Sequence, residues 1–297
     1  MARGFLTGAQ LISADIVARS LLAQTYVGRS YRSRSHAGFS PADIHGGSVS
    51  RVRVVPQTGG LILLAVAVLL GACTQRLTGI GFALVASPLL VLVLGPTDGV
   101  HVTNVLNLAV SLVVLSQTHR NIDLRRALTL AFPALAGIPL GLWVTKQVSV
   151  AVLYVIVGGL VVVALLLVTI ARRVVFRPSV GLTIGAGAAS GFMNVTAAVA
   201  GPAVTLYARA TRWEHHSFVG TIQLYFAIVN GGTILVKGGL PAVSWEQFLA
   251  CGAGLVVGAM FGRVLSRHVS VERAGQLMLG FAFAGGLVTM AKGFSLL

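Results

Sequence analysis

The sequence predicts an all-α integral membrane protein made of two homologous halves. Each half reads as a broken or re-entrant helix pair followed by three transmembrane helices, and the halves are related as inverted repeats. Three observations carry this prediction. Of the 297 residues, 56% are hydrophobic and 10% are charged, against about 25% charged in soluble domains. The apolar residues fall in runs approaching the roughly 20 that a helical span needs, without the alternation of barrel strands. The second half repeats motifs of the first in the same order.

Residues 1–55 stand apart. Arg3, Arg19, Arg29, Arg32, Arg34, Arg51 and Arg53 face only Asp15 and Asp43 there. No apolar core of a signal peptide is present, and the arginine- and serine-rich composition resembles a transit leader. The reading adopted is a poorly ordered basic extension, with a polytopic membrane domain over residues 56–297. Next come two short segments, roughly 60–75 and 80–95, and then three long runs, Val102 to Leu115, Ala127 to Val144 and Val150 to Ile170. A second short pair, 180–191 and 195–209, precedes Phe218 to Val236, Gln247 to Phe261 and Ala274 to Met290.

The repeat is visible without gaps. GIGFALVASPLLVL (79–92) aligns with MNVTAAVAGPAVTL (193–206), which sets Pro88 on Pro202 and Gly71 on Gly185. GIPLG (137–141) falls on GAMFG (258–262), and VSV from Val148 on VSV from Val269. Repeat 1 therefore covers about 58–171 and repeat 2 about 178–295. Each half makes an odd number of crossings, which inverts the second. Basic residues agree, because one alternating assignment places Arg120, Arg125, Arg126, Arg172, Arg173, Arg177, Arg209, Arg212, Arg263, Arg267 and Arg273 inside. Only Lys146, Lys237 and Lys292 are then outside. The net charge of +15 is thus loop charge rather than a nucleic-acid stripe.

Glycine and proline within a bilayer segment release backbone groups that lipid cannot satisfy, so such breaks belong where protein or a wet cavity surrounds them. Paired breaks at matching places in two repeats point to a substrate site. Here they are Gly79, Gly81 and Pro88 in one half, and Gly201 and Pro202 in the other. No carboxylate sits in mid-membrane; Asp98, Asp123, Glu214, Glu246 and Glu272 fall near span ends, which disfavours a cation carrier built on acidic relays. Neutral groups are abundant instead: Thr78, Ser87, Asn104, Asn107 and Ser111, then Asn194, Thr196, Thr205, Thr221, Gln223 and Asn230. Helix N-termini with hydroxyls and amides can hold a small anion. For a single serine or threonine a bond back to its own helix is the plainer reading. Asn107 and Gln223 weigh more, since they align within a small shift. The predicted substrate-binding set is Gly79, Gly81, Ser87, Asn104, Asn107, Asn194, Thr196, Gly201, Pro202 and Gln223. His215 and His216 are candidates for proton coupling, although a pair beside Trp213 reads more plainly as an interfacial anchor.

Enzyme chemistry is disfavoured. Ser190 in GAASGF (187–192) would need a deep histidine as its base, and His101, His119, His215, His216 and His268 all lie near span ends. No HExxH, paired mid-membrane aspartates, GxxxxGK[ST] or strand-linked GxGxxG occurs. Cys73 and Cys251 lack CxxC or histidine spacing and read as packing residues. No cofactor, metal or nucleic-acid partner is expected; the expected partners are the lipid bilayer and a small anion. Gly137 with Gly141, and Gly258 with Gly262, read as close helix packing.

Over most of residues 60–295 the chain resembles the TauE/SafE family of membrane transporters, the sulfite exporter group. The resemblance rests on TGIGFALVASPLLVLVLG followed by VHVTNVLNLAVS, on AVAGPAVTLY followed by FVGTIQLYFAIVN, and on the repeated glycine helix. It implies a multi-pass permease of the plasma membrane, such as the bacterial inner membrane, moving a small sulfur-containing or organic anion. Phe82 stands where such proteins commonly have a further glycine, and Ala203 where a second proline often follows, which implies a reshaped cavity. A passive anion channel and a non-transporting membrane subunit are the alternatives.

Overall fold

The computed structural model describes residues 57–79, 81–118, 122–170, 179–213 and 215–297. The expected basic extension over residues 1–55 lies outside them, as do His119, Arg120, Arg172, Arg173, Arg177 and Glu214 and the side chains of His215 and His216. Ten helices fill the described residues: α1 Gln57–Thr78, α2 Phe82–Leu94, α3 Pro96–Thr118, α4 Leu124–Gln147, α5 Val150–Ile170, α6 Val180–Ala197, α7 Gly201–Ala210, α8 His215–Val236, α9 Trp245–Leu265 and α10 Val271–Phe294. No strand occurs among the described residues.

Helix starts follow local side-chain chemistry. Asp123 accepts a hydrogen bond from the Arg126 amide at 3.0 Å, Ser179 from the Leu182 amide, and Ser270 from the Arg273 amide. Ser244 and Gln247 form a reciprocal capping box at the head of α9. Each satisfies an amide that the first helical turn leaves open.

Seven helices, α1, α3, α4, α5, α8, α9 and α10, are long and apolar enough to cross a membrane. Six of them contain the long runs read from the sequence. With 13 and 10 residues, α2 and α7 rise only about 20 and 15 Å, less than a hydrocarbon core of about 30 Å. The first members of both pairs differ from expectation: α6 runs on to Ala197, past the expected end at 191, and α7 starts only at Gly201. α1 is 22 residues long and reaches full spanning length, because Gly71 does not interrupt it. That glycine instead lets α2 lie close: a Cβ there would sit 2.9 Å from the Ala86 Cβ and 3.0 Å from the Phe82 carbonyl. The helix ends only at Gly79, whose φ of 82° suits a glycine terminator.

Small residues fix the packing. A Cβ on Gly254 would strike the Ala65 carbonyl, one on Gly258 would lie 2.8 Å from the Leu69 Cα, and one on Gly262 3.1 Å from the Cys73 Cα. Residue numbers rise together, so α1 and α9 run parallel. In the same way Gly187 abuts the Leu130 carbonyl and Gly191 the Ala134 carbonyl, while Gly137 abuts the Ala188 carbonyl and Gly141 the Val195 side chain; α4 and α6 are parallel. The paired glycines at 137/141 and 258/262 therefore act as close-approach surfaces, as read from the sequence. Gly158 meets the Gly286 carbonyl whereas Gly293 meets Ala151, which makes α5 and α10 antiparallel. His101 bonds Gly239 at one end of the α3 and α8 pair, and the Asp123 amide bonds Thr221 at the other, so these two are antiparallel as well.

The exterior is apolar and much of the interior polar. Ile62, Val113, Phe132, Leu235, Met260 and Phe261 are exposed, whereas Ser87, Asn104, Ser111, Ser190, Asn194, Gln223 and Asn230 are wholly buried. Phe82 is fully buried in a cluster with Leu64, Val68, Ala86 and Leu90, so its ring is a packing element between α1 and α2.

Candidate functional site

The first break lies between α1 and α2. Gln75, one turn before it, bridges the gap with one amide: its Nε2 donates to the Gly79 carbonyl at 2.9 Å, and its Oε1 accepts from the Phe82 amide at 3.0 Å. Gln223 on α8 donates to the same Gly79 carbonyl at 3.2 Å. Gly81 precedes α2 in tight surroundings, where a Cβ would lie 2.6 Å from the Met278 sulfur and 2.9 Å from the Thr78 hydroxyl.

The second break lies between α6 and α7, with Ala198 left-handed at φ 60°. The Ala197 carbonyl accepts from the Ser87 hydroxyl at 2.6 Å. The Ala200 carbonyl accepts from Ser190 at 2.7 Å, and Ser190 in turn accepts from the Tyr225 hydroxyl at 2.7 Å. Asn194 adds the centre of the network: its Nδ2 donates to Asn230 Oδ1 at 3.3 Å and to Thr233 Oγ1 at 3.0 Å. Its backbone carbonyl accepts from the Ala198 amide at 2.8 Å and from Asn104 Nδ2 at 3.4 Å. Pro202 occupies the first turn of α7, where its missing N–H costs nothing.

Side chains of each half thus attend the break of the other. Ser87 and Asn104 come from the first repeat to the second break, and Gln223 comes from the second repeat to the first. Backbone groups freed by glycine and proline are satisfied this way rather than by lipid. Asn104, Asn194, Asn230 and Thr233 are brought together; Gly79 and Gln223 meet elsewhere, with Gln75 between Gly79 and Phe82. Asn107 is buried about one turn beyond Asn104. Thr78, Thr196, Thr205 and Thr221 donate to carbonyls of their own helices, as the plainer reading expects of such residues. Gln75, Ser190, Tyr225 and Thr233 were not among the predicted site residues. Gln75 carried one signal, an amide four residues ahead of a glycine terminator within an apolar helix.

Four buried polar atoms in this interior have no partner among the described residues: Asn104 Oδ1, Asn194 Oδ1, Gln223 Oε1 and Ser111 Oγ. The amide orientations are set by their partners, since each NH2 faces an oxygen that only accepts. Three carbonyl-type oxygens among the described residues therefore lack a donor.

A cavity of about 320 Å³ opens at one end of the bundle, lined by residues of α3, α4, α5, α6 and α8 with Lys237 just beyond α8. Thr196 is the one member of the predicted binding set on its wall; His101, Lys146 and Lys237 are also there. The opposite end gathers arginines. Arg76 lies 3.5 Å from Gln117, Arg126 pairs with Asp123 at 3.2 Å, and the Arg126 guanidinium stacks 5.1 Å over Trp213.

Residues 63–289 match the family model described as sulfite exporter TauE/SafE. The chain belongs to this family. Its members are membrane transporters that export sulfite and related anions rather than enzymes, and with seven apolar helices of spanning length the TauE/SafE chain is a multi-pass membrane protein. No curated protein and no solved structure matches it.

Proposed function

We propose that this TauE/SafE protein is a secondary transporter that moves a small sulfur-containing or organic anion across the cell membrane by alternating access. The observation that carries the reading is the crossed bracing of two helix breaks, each held by side chains of the other half. Such an arrangement sets both broken segments at the seam between the halves, where transporters built from repeats bind their substrate. The inverted relation of the halves is supported by the helix directions. The antiparallel courses of α3 with α8 and of α5 with α10, matching helices of the two halves, are what a two-fold axis in the membrane plane produces.

Reporter fusions test the inversion. Fusions at Arg126 and Arg267 are expected to report the cytoplasm, and those at Lys146 and Lys237 the opposite side. A shared side for Arg126 and Lys237 contradicts it. Function is tested with purified protein in proteoliposomes, by flux of radiolabelled sulfite with sulfate, thiosulfate, sulfoacetate and acetate as competitors. Saturable flux driven by an imposed pH gradient is expected. Flux that stays linear with concentration identifies a channel, and absence of flux from folded protein favours a subunit role.

A further inference from the structure

Three lysines lie at the cavity end of the bundle, and they are used differently. Lys292 is committed: its Nζ donates to the Leu92 carbonyl at 3.0 Å and lies 4.7 Å from the Tyr154 ring centre. This bond satisfies a carbonyl in the last turn of α2. Lys146 and Lys237, by contrast, form no hydrogen bond or ion pair among the described residues, and both line the 320 Å³ cavity. His101 is fixed beside them, with Nε2 donating to the Gly239 carbonyl at 2.8 Å. The bond ties α3 to the turn that carries Lys237. Thr97 brings a hydroxyl to the same wall, and at the inner wall are Val195 and Thr196, directly before the second helix break.

We propose that this cavity is an anion chamber, in which the Lys146 and Lys237 ammonium groups hold a small oxyanion or short organic sulfonate beside the break at Ala198. Two lysines, one at the end of α4 and one just beyond α8, line one concave space; with the Asp98 carboxylate acting on Lys237 a net positive charge remains, which concentrates an anion there by field focusing. The volume lies at the small end of the about 300–1,000 Å³ typical of ligand pockets. It accommodates a compact anion with part of its water, so the chamber selects charge and size rather than one species. Thr196 does not serve as a donor, because its hydroxyl hydrogen is directed to the Phe192 carbonyl at 2.7 Å. The inference rests on the anion-transport reading above and adds to it a site, outside the predicted set, with its own charged residues.

The surroundings of Lys237 add a pH signature. Desolvation brings its pKa down from 10.5 to about 8, with the Asp98 carboxylate acting in the opposite direction. The charged and titratable groups facing it are Asp98 and His101 from α3 and Lys146 from α4; α5 and α6 bring only Leu153, Val195 and Thr196 to the cavity. The ammonium is present below about 8 and is lost as pH rises through that value. The ratio of wild-type to Lys237→Gln affinity is therefore expected to fall toward one over this range. Titration of the ligand cancels in the ratio.

The test compares wild type, the Lys146→Gln/Lys237→Gln pair, and an Arg263→Gln/Arg267→Gln pair that removes the same charge from the opposite end. Equilibrium binding of radiolabelled sulfite is measured by scintillation proximity, and flux in proteoliposomes. The lysine pair is expected to raise both the apparent Kd and the KM about tenfold or more, with the melting temperature unchanged. The arginine pair is expected to leave Kd unchanged. Wild-type flux with an unaltered KM and Kd in the lysine variant overturns the chamber and leaves the transport reading standing. Lysine-dependent binding without flux overturns transport and keeps the chamber. Absence of both binding and flux in folded wild-type protein overturns both.

Discussion

Gly191→Leu is expected to push α6 away from α4 and to lower the melting temperature in detergent by roughly 6–12 °C. Gly191 faces the Ala134 carbonyl and Cα so closely that even a methyl group overlaps the backbone of α4. A flexible side chain yields to such a clash by changing rotamer, but a helix backbone must move as a whole. Overpacking of this kind costs about 1–3 kcal/mol and occasionally more, a large share of a stability of about 5–15 kcal/mol. A loss of 3 kcal/mol lowers a melting temperature by roughly 6–12 °C in a domain of this size. Gly185→Ala is the matched control, since nothing lies within 4 Å of its added Cβ; its melting curve is expected to stay within about 2 °C of wild type. Thermal melting followed by size-exclusion fluorescence reads both. Equal melting of Gly191→Leu and wild type contradicts the α4 and α6 contact.

Gln75→Leu is expected to abolish most transport while the protein continues to fold. The substitution preserves side-chain volume. It removes the acceptor of the Phe82 amide and one of the two donors to the Gly79 carbonyl. An orphaned buried donor costs about 1–3 kcal/mol in soluble proteins, but polar contacts between membrane helices average closer to about 0.6 kcal/mol. Gln223 still serves the Gly79 carbonyl, so the cost is that of the single orphaned Phe82 amide, about 1–3 kcal/mol. The fold withstands such a loss, whereas the position of the α2 N-terminus relative to α1 loses its bridge. Sulfite flux per folded molecule in proteoliposomes, with melting temperature beside it, separates the two effects. Wild-type flux in this variant removes the Gln75 bridge from the transport site.

Much of this architecture was legible in the sequence because bilayer physics leaves strong marks. The six long apolar runs became α3, α4, α5, α8, α9 and α10. The glycines at 137/141 and 258/262 signalled close approach, since only absence of a side chain lets helix backbones touch. The length of α1 was not legible, because Gly71 can break a helix or admit a neighbour, and only the position of α2 decides between them. At the site, Asn107 and Gln223 were weighted in the sequence as aligned amides, and Asn104 and Asn194 stood among the neutral groups of the predicted set. The bonds around them were not legible: Ser190 donates to Ala200 and Tyr225 donates to Ser190 through contacts that no spacing rule specifies. The chamber lysines were read only as topology markers, since one lysine near a span end looks like any other. Their distinction from Lys292 arises from what each ammonium touches.

The central claim is that the two helix breaks together build the anion route. It is tested most directly by the initial rate of pH-gradient-driven sulfite flux into proteoliposomes containing wild type or Asn194→Leu at equal reconstitution. Asn194 is wholly buried and ties the α6 end to Asn230 and Thr233 on α8. The account predicts saturable wild-type flux and a loss of roughly tenfold or more in the variant, the factor given by about 1.4 kcal/mol, with both proteins monodisperse and similarly stable. Equal, saturable flux from the two proteins would contradict it.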